Sequence, residues 1–176
     1  MSEQRDTIEY IVWDEFVQAK SWEQYISDYT GNRMDFRKYF NITAIALAIM
    51  GGSTWGVWKS INAEWVTPVI FGVLGISQLL SAIQKDIIVT TEGLDSLIRL
   101  RSMYIQYSDK LERLYLLIDR QVIAVEEIEN KYFDLRKEAL PIEELKDSLN
   151  IDQLKKIDKK VEQRVSDYLK QRYFNS

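Results

Sequence analysis

The chain contains no cysteine and no histidine, and only two of its 176 residues are proline. Without cysteine and histidine it lacks disulfides, a cysteine or histidine nucleophile relay, a Ser–His–Asp triad and the common zinc ligand sets. The glycine-rich phosphate motifs G-x-x-x-x-G-K and G-x-G-x-x-G are also missing. Acidic pairs such as Glu126–Glu127 lie in charge-rich helical stretches, where a solvated helix face explains them better than catalytic carboxylates. We therefore expect neither an enzyme nor a bound cofactor or metal.

Charged residues are missing from two stretches of 20 residues, 39–58 and 65–84, which are separated by the short polar link 59–64. A helix rises about 1.5 Å per residue, so each stretch would span roughly 30 Å, the thickness of a bilayer's hydrocarbon core. Aromatic residues, which prefer the headgroup zone, lie near the ends: Tyr39, Trp55, Trp58 and Trp65. The pattern predicts a two-pass transmembrane hairpin. The alternative is two buried core helices of a soluble bundle, but such helices rarely run this far without a charged face.

Lysine and arginine flank the two stretches on their outer sides and are scarce in the link, which contains only Lys59. The flanking residues are Arg33, Arg37, Lys38, Lys85, Arg99 and Arg101. Since positively charged loops stay in the cytoplasm, we expect both termini to be cytoplasmic. Residues 1–30 carry seven acidic side chains and do not predict a cleavable signal peptide.

The polar remainder of the chain has helical periodicity. An apolar stripe with spacings of three and four covers residues 7–29, and we expect its helix to end at Gly31, since glycine commonly stops helices. The stripe consists of Ile8, Ile11, Val12, Phe16, Ala19, Trp22, Ile26 and Tyr29. This segment predicts an amphipathic N-terminal helix.

The longest periodic stretch, 93–139, has the spacing of coiled-coil a and d positions. Its seam consists of Leu97, Leu100, Tyr104, Tyr107, Leu111, Leu114, Ile118, Val122, Val125, Ile128, Tyr132 and Leu135. The rhythm slips within 118–128, as a stutter would. One stripe of this length needs a partner helix, from this chain or from another copy. We expect Pro141 to end or sharply bend the helix, and Asn150 or Asp152 to cap a last one. The residues of that last helix that we expect to face inward are Leu154, Ile157, Val161, Val165, Tyr168 and Leu169.

These patterns predict an all-α membrane protein with three parts. They are an N-terminal cytoplasmic helix over 1–32, a transmembrane hairpin over 33–86, and a cytoplasmic helical domain over 87–176 that contains the long coiled-coil helix and C-terminal helices.

The two ends of the chain carry opposite charge. Residues 1–30 contain seven acidic and two basic side chains, whereas residues 150–176 contain seven basic and four acidic ones. Either these helices pack together and partly neutralise each other, or the basic helix meets a phosphate-bearing ligand. The candidate ligand-binding residues are Lys155, Lys156, Lys159, Lys160 and Arg164.

The uncharged stretches carry two further patterns. Small residues recur every four positions in the first stretch, which lets membrane helices approach closely, at Ala44, Ala48, Gly52 and Gly56. The second stretch has Gln78, Ser81 and Gln84 at spacings of three. In a single hairpin these polar groups could bond to the first helix, but in an oligomer they would form polar rings that line a narrow water path. They are the predicted pore-lining residues.

This layout, with the basic–aromatic entry Asp35–Met50 into the first stretch, resembles the SLATT proteins, the SMODS and SLOG-associating two-transmembrane effectors. The resemblance implies a pore-forming effector of bacterial anti-phage defence in the inner membrane. It also implies control by a nucleotide or short oligonucleotide that a partner nucleotidyltransferase makes, as in CBASS-type and Hailong-type systems.

We therefore expect a gated, homo-oligomeric membrane channel that acts as a toxic effector, with a tetramer as the favoured assembly. The alternative is a non-conducting membrane anchor whose coiled coil recruits or scaffolds cytoplasmic partners. The polar stripe Gln78, Ser81 and Gln84 separates the two, because an anchor has no use for it.

Overall fold

The computed structural model describes residues 2–52, 69, 72–73, 75, 91–151 and 154–174. Its helices are α1 (Ser2–Gly52), α2 (Thr91–Asp119), α3 (Val125–Ser148) and α4 (Lys155–Leu169), with a short π-helical segment, Lys170–Phe174, after α4. No strand occurs in the part of the chain that is described. The predicted all-α class is confirmed.

The chain forms two compact units, which we call the bundle (residues 1–30 and 93–176) and the insert (31–92). Within the described residues, no helix combines the length and the apolar character needed to cross a membrane. The second predicted membrane stretch, 65–84, and the end of the first, 53–58, lie almost entirely outside those residues. The hairpin therefore stays a prediction.

The bundle has a core formed by one apolar face of each of its helices. The predicted stripe of α1 is buried or half-buried except at Ile11, whose side chain is 40% exposed. Helix α4 contributes Ile157, Val161 and Val165 to the same core, whereas Leu154, also expected to face inward, is 43% exposed. Burying each such aliphatic side chain stabilises a fold by about 1.5–3 kcal/mol. The periodicity therefore identified the core faces of these helices.

The seam of α2 is also buried inside this chain. At every seam position of this helix the side chain is 6% exposed or less: Leu97, Leu100, Tyr104, Tyr107, Leu111, Leu114 and Ile118. Ile128 of α3 is fully buried, and Tyr132 and Leu135 are half-buried. Val125 is half-buried, whereas Val122, in the turn between α2 and α3, is 63% exposed. Apart from Val122, the seam finds its partners within the bundle and needs no second copy.

The expected continuous helix over 93–139 is wrong, because α2 ends at Asp119 and α3 begins at Val125. The Leu117 carbonyl accepts the N–H of Val122 at 3.1 Å, and the Ile118 carbonyl accepts that of Gln121 at 2.9 Å. This pair of bonds is a Schellman ending, and Gln121 takes the left-handed position with φ 56°. The apparent stutter is this turn.

Three further boundaries differ from the expected ones. Helix α1 continues through Gly31, since a glycine inside a helix costs only about 1 kcal/mol. Helix α3 continues through Pro141, which removes the hydrogen bond to the Lys137 carbonyl; both residues are exposed, so water can satisfy that carbonyl. Asn150 has φ 42° and ends α3, donating its N–H to Asp147, instead of capping the next helix.

Helix α4 begins at Lys155, with Leu154 as its N-cap and no side-chain cap. The hydroxyl of Tyr25 in α1 accepts a hydrogen bond from the N–H of Leu154 at 2.8 Å. Asp152, the other predicted cap, lies outside the described residues. A contact with α1 therefore fixes the start of α4.

Candidate functional site

The predicted ligand-binding lysines lie on α4 outside the face that enters the core. Lys155, Lys156 and Lys159 are exposed, and none of them forms an ion pair or hydrogen bond with a residue that the structure describes. Lysines that a core or a carboxylate does not engage are available to an anionic ligand. Their role as ligand-binding residues stays a prediction.

The other two members of the predicted set contact the acidic helix α1. The Nζ atom of Lys160 lies 3.5 Å from Oδ2 of Asp28, and Arg164 donates to the same oxygen and forms an ion pair with it. The Asp28 side chain is only 14% exposed. The interpretation in which the acidic and basic helices pack together is therefore confirmed at Asp28. A ligand that engages Lys160 or Arg164 has to compete with this carboxylate.

A second ionic site of the bundle is centred on Glu15 of α1. One carboxylate oxygen, Oε1, accepts hydrogen bonds from the Tyr107 hydroxyl at 2.5 Å and from Nη1 of Arg136 at 2.7 Å. The other oxygen, Oε2, accepts from the Tyr132 hydroxyl at 2.6 Å. The Glu15 side chain is 15% exposed. One carboxylate thus joins α1, α2 and α3.

These contacts shift the pKa values of the groups involved. Partial burial by itself would raise the pKa of Glu15, but the hydrogen bonds from Tyr107, Tyr132 and Arg136 outweigh it and lower that pKa. Burial and the carboxylate of Glu15 raise the pKa of Tyr132 to about 12 and raise that of Tyr107 as well. At neutral pH the carboxylate is charged and both phenols are protonated. The network is therefore suited to holding helices together, not to transferring protons.

A third carboxylate ties α2 to the C-terminal segment. Oε1 of Glu112 accepts hydrogen bonds from Nε of Arg172 and from the Tyr173 hydroxyl, both at 2.8 Å. Partial burial would raise the pKa of Glu112, but these donors lower it. Lys20 of α1 lies 5.1 Å from the ring centre of Tyr168 in α4.

Glu15 and Glu112, which accept the hydrogen bonds of these two networks, were not predicted from the sequence as site residues. The available indication was the tyrosines in the predicted seam, because a buried phenol needs a hydrogen-bond partner. No pattern identifies that partner, since Glu15 is 92 residues from Tyr107 and 117 from Tyr132.

No protein-family model, no curated protein and no solved structure matches the chain. The resemblance to SLATT proteins therefore stays an expectation. The function has to be inferred from the geometry of this chain.

The predicted site residues of the insert are described only in part. The backbone of Ala44, Ala48 and Gly52 belongs to α1, whereas Gly56 lies outside the described residues. The pore-lining candidates Gln78, Ser81 and Gln84 also lie outside them. Among the described residues, no group of acidic side chains is placed to hold a metal ion.

Proposed function

We propose that the chain is a membrane effector. In this proposal the insert enters the bilayer as a helical hairpin, copies associate through it to form a pore, and the bundle carries the surface that receives the controlling ligand. The observation that carries the proposal is the exposure of large apolar side chains in the insert.

The apolar side chains of the insert that the structure describes are mostly exposed. Tyr39 is 68% exposed, Ile42 53%, Ile45 61%, Val69 53% and Val73 41%. The bundle of the same chain instead buries the seam of α2 almost completely and most of the stripe of α1, although Val122, Phe133 and Leu140 are exposed. Exposed apolar area is unfavourable in water at about 25 cal/mol per Å², and lipid removes that penalty. If the insert lies in lipid, its exposed apolar side chains are stable there, whereas the bundle buries its own apolar faces because it lies in water.

The assembly surface also follows from where the apolar residues are used. The coiled-coil seam of α2 is buried inside the bundle, so it does not present a surface to a second copy. This leaves the small-residue stripe Ala44, Ala48, Gly52 and Gly56 as the proposed contact between copies, since close backbone approach is how membrane helices associate. The alternative, a non-conducting membrane-anchored scaffold, would have to recruit partners through surfaces other than the seam of α2.

In an assembly around a central axis, the proposed lining is the polar stripe Gln78, Ser81 and Gln84. Amides and hydroxyls can replace part of an ion's water shell without binding the ion tightly. Aspartate, glutamate, lysine, arginine and histidine are absent from both uncharged stretches of the sequence, so the proposed pore conducts without a proton relay or a voltage sensor.

Control of the pore is proposed to come from an anionic ligand on α4. Lys155, Lys156 and Lys159 are exposed and form no ion pair or hydrogen bond with a described residue, and symmetry would repeat them around the assembly. The resemblance to SLATT proteins supports a nucleotide or a short oligonucleotide as that ligand, a nucleotidyltransferase as its source and anti-phage defence in the bacterial inner membrane as the context. Such a ligand acts only if it binds the open and closed states with different affinity.

The test is the effect of the polar stripe on living cells. Expression of the intact chain without its regulator should depolarise the membrane, as measured with a potential-sensitive dye, and arrest growth. The variant Gln78→Leu/Ser81→Leu should lose both effects at equal membrane abundance, because leucine cannot stabilise an ion or a water file.

Gln4→Leu/Ser102→Leu is the matched control, since it makes the same chemical changes at exposed positions of the bundle. It should remain as toxic as the intact chain. Equal toxicity of the Gln78→Leu/Ser81→Leu variant would count against this lining, and recovery of the intact chain in the soluble fraction would count against the membrane function altogether.

A further inference from the structure

The bundle has an open cavity of about 500 Å³ that no step of the proposed function uses. It lies where the start of α1, the end of α2 and the C-terminal π-helical segment meet. Its lining contains three carboxylates and five aromatic rings: Asp6, Glu9, Tyr10, Trp13, Tyr115, Asp119, Tyr173 and Phe174. Among the residues that the structure describes, no basic side chain contributes to this lining.

Three rings of the cavity pack against one another as a wall, and two further rings are exposed at its rim. The centre of the Trp13 ring lies 4.7 Å from that of Tyr115 and 5.3 Å from that of Tyr173. The ring centres of Tyr115 and Tyr173 lie 5.9 Å apart, and the two ring planes are nearly perpendicular, at 85°. Tyr10 and Phe174 are 69% and 72% exposed, so their side chains stand at the rim. An aromatic wall of this kind offers π-faces to a cation and apolar area to methylene groups.

The three carboxylates of the cavity have no charged partner among the residues that the structure describes. Asp6, Glu9 and Asp119 form no ion pair or hydrogen bond with any residue that the structure describes. The nearby Arg5 directs its guanidinium to the carbonyl of Ile118, at 2.9 Å, instead of to a carboxylate. This contrasts with Glu15, Asp28 and Glu112, each of which has an arginine partner.

The negative potential reaches the aromatic wall. Burial first, and then the charges of Asp119 and Glu9, raise the pKa of Tyr115. A positively charged ligand at this wall would therefore meet both a favourable potential and a favourable ring face.

The arrangement of the carboxylates decides which kind of cation fits. Among the described residues, the carboxylates do not come close enough together to hold a metal ion, and aromatic rings do not supply the oxygen ligands that Mg²⁺ or Ca²⁺ require. Two carboxylates belong to α1 and one to the end of α2, with rings between them. Several separate positive charges joined by methylene groups match this lining.

We propose that this cavity binds a linear aliphatic polyamine of the spermidine class. Its ammonium groups lie near Asp6, Glu9 and Asp119, and its methylene chain lies along Trp13 and Tyr115. A lysine-rich segment of another protein has a related chemistry, and the experiment separates it from the small molecule. The proposal does not depend on pore formation, because every lining residue belongs to the bundle.

The experiment is isothermal titration calorimetry of spermidine into the purified full chain in detergent. The intact chain should bind one spermidine per copy, and Mg²⁺ should bind much more weakly at equal ionic strength. The variant Asp6→Asn/Asp119→Asn should weaken spermidine binding at least about tenfold, the effect of 1.4 kcal/mol. Tyr10→Ala, which removes an exposed ring, should weaken it about threefold.

The matched control is Asp95→Asn/Asp109→Asn, which makes the same chemical change at two exposed positions of α2 outside the cavity. Its affinity for spermidine should equal that of the intact chain. The proposal is overturned if the intact chain does not bind spermidine, if Mg²⁺ binds as tightly, or if the control loses as much affinity as the cavity variant. Binding of a penta-lysine peptide without binding of spermidine would overturn it in favour of a protein partner.

Discussion

At the scale of single residues, three carboxylates of α1 and α2 join distant segments of the bundle: Glu15, Asp28 and Glu112. Glu15 alone receives hydrogen bonds from Tyr107, Tyr132 and Arg136. Removing the shared carboxylate leaves its three partly buried donors without an acceptor. The loss of stability is then larger than the contribution of the hydrogen bonds alone. Glu15 is therefore the residue whose replacement should affect the stability of the bundle most through polar contacts.

We expect Glu15→Gln to lower the free energy of unfolding at neutral pH by about 2–3 kcal/mol. The carboxyl has a lowered pKa in the folded chain, so its contribution is present above its ordinary value of 4.5 and is lost as the pH falls through the lowered pKa. Thermal unfolding of the full chain, followed by circular dichroism from pH 7 to pH 3, should show a shallower acid-side loss for the variant.

Glu129→Gln is the control for this prediction, because Glu129 is exposed on α3. It should leave both the stability and its pH dependence within about 0.5 kcal/mol of the intact chain. Equal effects of the two substitutions would contradict a central role for Glu15. Glu112, whose pKa is also lowered, should keep part of the acid-side loss in either variant.

At the scale of elements, periodicity predicted the buried faces but not the helix ends. The buried positions of α1, α2 and α4 follow from spacings of three and four, because a helix must place its apolar stripe against the core. The break after Asp119 was missed because Gln121, not glycine, takes the left-handed position. Pro141 does not end its helix, since its solvent-facing position lowers the penalty of the lost hydrogen bond.

The candidate site shows the same division at the scale of α4. Sequence periodicity correctly placed Lys156 and Lys159 outside the buried face, since Ile157 and Val161 occupy that face. It did not indicate that Lys160 and Arg164 contact Asp28, because that residue lies 136 positions from Arg164 along the chain. Contacts between distant segments leave no periodic trace.

The exposed face of α4 carries a prediction of its own. Lys156→Glu/Lys159→Glu should weaken binding of a cyclic or short linear oligonucleotide at least about tenfold and flatten its dependence on salt, since two phosphate contacts are replaced by repulsion. Gel shift or calorimetry over a salt series measures both quantities. Lys131→Glu/Lys137→Glu, on the exposed face of α3, is the control. Unchanged affinity in the α4 variant would place the anion site elsewhere.

At the scale of the whole molecule, the two units use their apolar residues differently. The bundle covers the seam of α2 with its own helices, whereas the insert leaves Ile42 and Ile45 exposed. If copies meet, the contact surface therefore has to come from outside the seam of α2. Measuring the oligomeric state of stripe variants therefore tests the small-residue stripe as the contact between copies.

We expect the detergent-solubilised chain to be a homo-oligomer, with a tetramer as the favoured form, by light scattering or mass photometry. Ala48→Ile should shift the population toward monomers, because a branched side chain on the stripe keeps helix backbones apart. Ala46→Ile, the same change on a different face of α1, should leave the assembly intact. A monomeric intact chain would remove the pore function, and equal dissociation of both variants would remove the stripe as its contact.

The division of the bundle into residues 1–30 and 93–176 has a consequence for the order in which the chain folds. The first segment leaves the ribosome well before the second has been synthesised, so the apolar stripe of α1 has no partner helices at that time. Val12, Phe16 and Ile26 become covered only after α2, α3 and α4 exist. Because domains generally fold as units during synthesis, the bundle has to fold after the insert has passed through the ribosome. An acidic, amphipathic first segment suits this delay, since its charges keep the waiting helix soluble.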